Sequence, residues 1–468
     1  MPPLITYIAV TKNWNLALLL SLSLCFSSCS QKEDSVGPSS PIAVPEQGVS
    51  RLDTSQDLDP LLNQLGPARY ALLGEASHGT AEFYSWRATL TKRLIQEKGF
   101  TLIGVEGDCP ALYELNRYVK GANNAASATA VLQRLTRWPT WMWANPQIAD
   151  LAEWLRTYNS TQPAARKVGF YGLDLYSLWE SLESIRTDFA EADPATITAV
   201  EEALDALSPY NHSEEAYGEA TLRGASAADA VNAVLTAVRN RLKTLPAGHE
   251  GAFNAEQNAL TAVHAEQYYR SAVRSNAGSW NIRDQHMAET INRLMDFHGA
   301  SAKIAVWEHN THVGDARYTD MADASEVNVG QLMRQQHAAE VYVVGFGTYA
   351  GTVTAAPAWG GPVTTMVVPA AKSGSWEAAL HQQRPGNNLF LLDTWRNDPA
   401  LTQRRGNRAI GVVYEPAAEA GNYVPTDLPH RYDAFAFIEQ THALQPLPGM
   451  SSLVAPAITQ QAQAVENY

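Results

Sequence analysis

From residue 66 onward, short apolar runs alternate with longer stretches whose apolar residues recur at helical spacing. Eight runs read as strands: Tyr70–Leu73, Thr101–Val105, Lys167–Gly172, Lys303–Trp307, Glu340–Gly345, Asn388–Leu392, Ala409–Tyr414 and Ala434–Ile438. Most are continuously apolar rather than alternating, the pattern of strands covered on both faces. Helical patterns at Ala81–Lys98 and Pro110–Lys120 follow the first two runs. This order predicts an α/β fold with a mainly parallel central sheet flanked by helices.

Residues 183–280 break the alternation. Segments such as Ala195–Leu207 and Ala227–Leu245 read as amphipathic helices inserted between the third and fourth strands, a helical cap over the carboxyl edge of the sheet. The chain then divides into a core segment 51–182, the cap 183–280 and a second core segment 281–449. Residues 361–386 and 415–430 read as loops, and 450–468 as a tail.

The N-terminus follows another pattern. Asn15–Phe26 is one apolar run preceded by Lys12. Its length suits a signal-peptide core, since a spanning helix needs about 20 apolar residues. It ends in Phe26-Ser27-Ser28-Cys29, which resembles a bacterial lipobox, and Ser30-Gln31-Lys32-Glu33-Asp34 resembles the acidic export signal of surface lipoproteins. Residues 1–28 are then a signal peptide, Cys29 carries the lipid, and the Pro/Gly/Ser-rich residues 29–50 form a tether. The expected protein is exported, a lipoprotein of the bacterial outer membrane facing periplasm or exterior, touching membrane only through its anchor.

Composition narrows the partners. The 468 residues are 45% hydrophobic, with 34 Lys+Arg against 48 Asp+Glu and a formal charge of −14. That is ample for a large core and excludes a disordered or collagenous chain. The acidic surplus argues against nucleic acid, whose partners carry a basic stripe, and against an anionic membrane surface. Of the three cysteines, Cys25 lies in the leader and Cys29 is the lipid site. Only Cys109 remains in the folded part, so the mature chain forms no intramolecular disulfide.

Ligands of open α/β sheets bind beyond the carboxyl ends of the strands. Four such ends carry chemistry here: Gly74-Glu75-Ala76-Ser77-His78-Gly79-Thr80, Glu106-Gly107-Asp108, Leu173-Asp174-Leu175 and Glu308-His309-Asn310-Thr311-His312. Single strand-end histidines are commonly structural; four ends rich in carboxylate and imidazole on one rim suggest a site. Arg87 lies nine residues past His78 on the following helix, and helical side chains lean towards the N-terminus, so its guanidinium reaches back to that rim. Its structural alternative is an ion pair with Glu82 or Glu97. Arg283 and Asp284 sit on a helix before the fourth strand and read first as a structural pair.

The set Gly74-Glu75-x-x-His78-Gly79, Arg87 and Glu106 resembles the erythromycin esterase family, which also includes proteins named for succinoglycan biosynthesis. The resemblance continues through Gly169–Asp174, Arg283-Asp284 with Met287, and His309-Asn310-x-His312, spanning residues 66–440. It implies a cofactor-independent, metal-independent hydrolase that opens a carboxylic ester or lactone with activated water, on a small-molecule substrate. It places the general base on His78, paired acids on Glu75 and Glu106, a catalytic arginine on Arg87 and later histidines on His309 and His312. Arg283 and Asp174 are expected to bind substrate. Characterised macrolide esterases are cytoplasmic, whereas this chain carries the marks of export.

Elementary chemistry agrees with that assignment. Neutral imidazole is the natural base near neutral pH. Glu75, or Glu106 on the neighbouring strand, holds its tautomer, and Arg87 with one later histidine donates to the tetrahedral oxyanion. No G-x-S-x-G elbow occurs, which favours direct attack by water. Three rivals remain at this level. Gly107-Asp108-Cys109-Pro110 has the outline of a cysteine elbow, with a helix N-terminus to lower the thiol pKa. His78, Glu106, Asp174, His309 and His312 contain the donors of a zinc site and make a metal-dependent hydrolase the alternative. The run Trp138-Pro139-Thr140-Trp141-Met142-Trp143, with Trp179, suits an anchored lipoprotein that binds a glycan or lactone without turnover.

Overall fold

Most of the continuously apolar runs become strands whose successive side chains enter two different cores. In Tyr70–Leu73, Ala71 and Leu73 pack on one face and Tyr70 and Leu72 on the other; Ile304–Trp307 divides in the same way. The computed structural model describes residues 42–189, 191–246 and 248–450. Its strands are β1 (Val49–Arg51), β2 (Tyr70–Leu73), β3 (Leu102–Asp108), β4 (Gly169–Asp174), β5 (Ile304–Trp307), β6 (Val341–Ala355), β7 (Thr364–Val368), β8 (Asn388–Leu391), β9 (Arg405–Arg408), β10 (Tyr423–Thr426) and β11 (Ala434–Thr441). The main sheet has nine strands in the order β1-β8-β11-β6-β2-β5-β3-β4, with β7 paired to β6. From β11 to β4 every pairing is parallel; β1, β8 and β7 add antiparallel edges. The fold is therefore α/β with a mainly parallel sheet between helices.

The helix Ala81–Lys98 covers one face. Phe83, Tyr84, Arg87, Leu90 and Leu94 are buried, and Gly99 ends the helix in a left-handed conformation at φ 73°. Between β4 and β5 the chain builds a third apolar core from helices Leu178–Asp188, Pro194–Leu207, Ala228–Leu242 and Glu250–Ala272. The helix Asn276–His298 then leads back to β5.

Several sequence expectations change. Ala409–Tyr414 is not a strand: the strand is β9 just before it, paired with β10 in a separate two-stranded sheet. Ile410 N–H donates to the Ala76 carbonyl at 2.8 Å and Tyr414 N–H to that of Ala356 at 2.9 Å. The run is apolar because it straps the ends of other strands. The expected loops contain β7 and the helix Trp376–Gln383 in one case, and β10 and Leu428–Arg431 in the other. β7 keeps most of its side chains exposed, so no apolar signal marks it. The tether expected at 29–50 yields to the fold from residue 42 onward, because Ile42 and Val44 are buried and β1 pairs with β8. Met450, assigned to the tail, is buried as well. The signal peptide expected at 1–28, the lipid site expected at Cys29 and the tail beyond Met450 lie outside the described residues.

Gly79 follows His78 where backbones cross closely: its carbonyl accepts from Thr354 N–H at 2.9 Å and Leu444 N–H at 2.8 Å. A Cβ there would lie 1.8 Å from the Thr354 carbonyl oxygen. Since only backbone could yield, Gly79→Ala is expected to destabilise the fold by about 2 kcal/mol or more, read as a lower urea midpoint at unchanged m-value.

Candidate active site

The chain leaves β2 into a turn that puts Glu75 and His78 three residues apart on one side. Glu75 Oε1 lies 2.9 Å from His78 Nδ1, and Glu75 Oε2 accepts from Arg87 Nη2. All three side chains are buried. A carboxylate only accepts, so Nδ1 carries the proton and the Nε2 lone pair is left for the cavity that His78 lines. Arg87 is sandwiched, its guanidinium carbon 4.6 Å from the Tyr84 ring centroid and 4.8 Å from that of Trp307. It does not line the cavity. The expectation that Arg87 reaches the rim as an oxyanion donor is thus corrected: it lies behind Glu75 and acts through it. Nor does it pair with Glu82 or Glu97, which bind His442 and Arg93 instead.

A second cluster gathers at the ends of β3, β4 and β5. Arg283 forks onto Asp174 at 3.0 and 2.7 Å and onto Glu106 Oε1 at 2.7 Å. Glu106 Oε2 accepts from the His309 backbone N–H at 2.8 Å. Burial alone would raise the Glu106 pKa, but His312, Arg283 and His78 hold it well below the usual carboxylate range. Glu106 therefore does not orient His78; β5 separates its strand from β2, and Glu75 takes that role. His312 donates from Nδ1 to Asp284 at 2.9 Å, stacks on Trp280 with centroids 4.6 Å apart, and sets Nε2 3.4 Å from Glu106 Oε1 and 3.0 Å from Arg283 Nη1. Burial opposes its charged form, yet Asp284 and Glu106 outweigh it and push its pKa up to about 10. Arg283 and Asp284, neighbours in sequence, thus meet different ring nitrogens of His312.

His309 ends in the opposite state. Its Nδ1 accepts from the Thr311 backbone N–H and lies 2.8 Å from the Thr311 hydroxyl, which leaves the proton on Nε2. That Nε2 is buried without a partner, and the ring sits 4.8 Å from that of His78. Burial, with His78 beside it, keeps the pKa well below the usual histidine range. Asn310 ties three strand ends together: its N–H donates to Glu75 O at 2.8 Å, its Nδ2 to Phe346 O at 2.7 Å, and its Oδ1 accepts from Phe346 N–H at 3.2 Å.

His78, His309, His312, Glu106, Asp174 and Arg283 all line one cavity of about 140 Å³, roughly ten times what a single water needs. Asp284, Asn310, Trp280 and Trp359 complete its surroundings and were not singled out as site residues from sequence; the quoted motifs contained the first two, and nothing local marked the others. Cys109 belongs elsewhere. It is buried, its thiol faces Asn254 at 3.9 Å, and burial pushes its pKa up to about 12 rather than down. The zinc donors are committed to Arg283, Asp284 and the His309 backbone, and among the described residues no group of three His, Cys, Asp or Glu is spaced to hold a metal. Of the tryptophans, Trp138 and Trp143 line the cavity, while Trp141 is core.

The family model for erythromycin esterase matches residues 95–441. The chain belongs to the erythromycin esterase family. The matched span takes in Glu106, Asp174, Arg283, His309 and His312, with Glu75, His78 and Arg87 just before it. Among curated relatives, erythromycin esterase type II of Escherichia coli is 20% identical over 320 residues, covering 65% of this chain and 74% of the relative. Among solved structures, a Bacillus cereus protein superposes with a TM-score of 0.71 at 20% identity, over 86% of this chain and 97% of its own. A succinoglycan biosynthesis protein gives 0.67 at 21%, over 86% and 96%. An erythromycin esterase mutant in its open conformation gives 0.63 at 18%, over 84% and 98%. The α/β fold with its mainly parallel sheet is thus a property of the erythromycin esterase family.

Two outcomes follow from the site's electrostatics. Arg87→Ala leaves Glu75 buried and unpaired, so a loss of about 3–5 kcal/mol in denaturation is expected, with Arg87→Ala/Glu75→Gln recovering much of it. His312, whose folded pKa is above its unfolded value, contributes stability that is complete below about pH 6.5 and is lost as pH rises through about 10. Stability measured from pH 6 to 11 should fall in that window for the wild type and less for His312→Gln.

Proposed function

We propose that this chain is an esterase-like hydrolase that opens a carboxylic ester or lactone with water activated by His78, exported and anchored through Cys29. The observation that carries the reading is two imidazoles 4.8 Å apart on one cavity, one with Nδ1 against the Glu75 carboxylate and the other with Nδ1 accepting from the Thr311 backbone N–H. One offers a lone pair and the other a proton. Membership of the erythromycin esterase family supports ester chemistry, and the Escherichia coli relative bears that activity in its name.

Water sits against His78 Nε2 and gives up a proton as its oxygen bonds to the carbonyl carbon. Glu75 stabilises the imidazolium that forms, and Arg87 keeps Glu75 charged and fixed. The carbonyl oxygen becomes an oxyanion and accepts from His309 Nε2–H, a donor already desolvated and so effective where charge develops. Collapse of the tetrahedral intermediate breaks the bond to the alkoxide, which takes the proton from His78. The products are an acid and an alcohol, or one hydroxy acid from a lactone. Arg283 and His312 hold Glu106 and Asp174 in place and keep that end of the cavity polar.

A panel of esters and macrolactones tests this on the leaderless protein. His78→Ala is expected to lose turnover by about 10³-fold or more with an unchanged circular dichroism spectrum, and His309→Ala by about 10²-fold through kcat. Turnover retained in folded His78→Ala, or binding without hydrolysis across the panel, would sink the assignment.

A further inference from the structure

The cavity changes character on the side of the inserted helices. Its wall there is a continuous row of rings: Trp138 and Trp359 have centroids 4.6 Å apart, Tyr176 meets Trp359 edge-on at 6.5 Å, and the Arg137 guanidinium lies 5.8 Å from the Tyr176 centroid. Beside this row Asp108 and Glu180 also face the cavity. Arg137 is the cation nearest to them, but it is shared. Its Nε lies 3.2 Å from Asp108 Oδ2, its Nη1 pairs with Glu214 on the insertion, and its Nη2 donates to the Tyr269 hydroxyl at 3.1 Å. One guanidinium thus serves two carboxylates, and Glu180 is left with an enclosed Oε2 that has no partner. Arg134, also on the lining, is exposed, and solvent screens it.

Burial first, then Glu180, Asp174 and Glu214, raise the Asp108 pKa to about 7 against the pull of Arg137. A cation bound beside Asp108 and Glu180 would favour the charged form of both carboxylates. At its other end the same cavity is lined by His78, His309 and His312. Aromatic faces with an unpaired carboxylate complement a cation whose charge is spread over alkyl groups, since ring quadrupole and carboxylate both attract it and the alkyl groups lose water at little cost. A neutral polyol would leave the Glu180 oxygen without a counter-charge.

We propose that Asp108, Glu180, Tyr176, Trp138 and Trp359 form a subsite for an alkylammonium group carried by the substrate. The word substrate rests on the hydrolysis proposed at His78, whereas cation binding does not need turnover. Two probes separate them: the choline ester of an acid the enzyme accepts against the uncharged isosteric 3,3-dimethylbutyl ester, and tetraethylammonium binding by calorimetry. The choline ester is expected to exceed its isostere by about tenfold or more in kcat/KM. Glu180→Gln should draw that ratio towards one and weaken tetraethylammonium, and Trp359→Leu should do the same from the aromatic side. Equal kcat/KM for the two esters in the wild type, or no tetraethylammonium binding, overturns the subsite without recourse to any variant. Tetraethylammonium binding that Glu180→Gln weakens, with neither ester hydrolysed, would fail the hydrolytic reading and leave the subsite standing.

Discussion

A carboxylate buried where a strand ends stays charged only if a cation is buried with it, and the whole site depends on that constraint. Glu75 is held by Arg87, Glu106 and Asp174 by Arg283, and Asp284 by His312. Removing one partner leaves an uncompensated charge that the interior cannot solvate. These pairs therefore fix the relative positions of β2, β3, β4, β5 and the two helices that carry the arginines. The fold and the candidate site are held by the same contacts.

The pairs also sort the histidines. His78 meets a carboxylate already neutralised by Arg87, so its Nδ1 proton has a fixed acceptor and its other nitrogen faces the cavity. His309 meets only a hydroxyl and a backbone N–H, and burial keeps it neutral with its proton on Nε2. His312 stands between Asp284 and Glu106 and is charged. Three imidazoles on one cavity thus sit in three different electrostatic surroundings because their neighbours differ.

The chain's solved relatives share the fold at about one-fifth identity, with TM-scores of 0.63 to 0.71. The strand-end residues, Asp108 among them, sit on the parallel sheet, whereas Trp138, Trp359 and Glu180 come from a connecting segment, a loop and the edge of the inserted helices.

Much of the architecture was legible in the chain itself. Continuous apolar runs marked β2, β3, β4, β5 and the start of β6, because strands buried on both faces leave no polar alternation. The same signal misassigned Ala409–Tyr414, since an apolar strap across strand ends has the same composition as a strand, and it missed β7, whose side chains are mostly in solvent. Strand-end position was enough to nominate Glu75, His78, Glu106, Asp174, His309 and His312. Which carboxylate met which cation was not, because Arg283 pairs with Asp174 and Glu106 across 109 and 177 residues of chain. Chain periodicity reports burial and local spacing, and so it determined the α/β fold and the residues at the rim. Hydrogen bonds and ion pairs between segments far apart depend on distances that only the folded sheet creates. The tertiary structure alone therefore decided that Arg87 stands behind Glu75 and His78, that Thr311 holds His309 through Nδ1, and that Glu180 keeps an enclosed Oε2 without a hydrogen-bond partner.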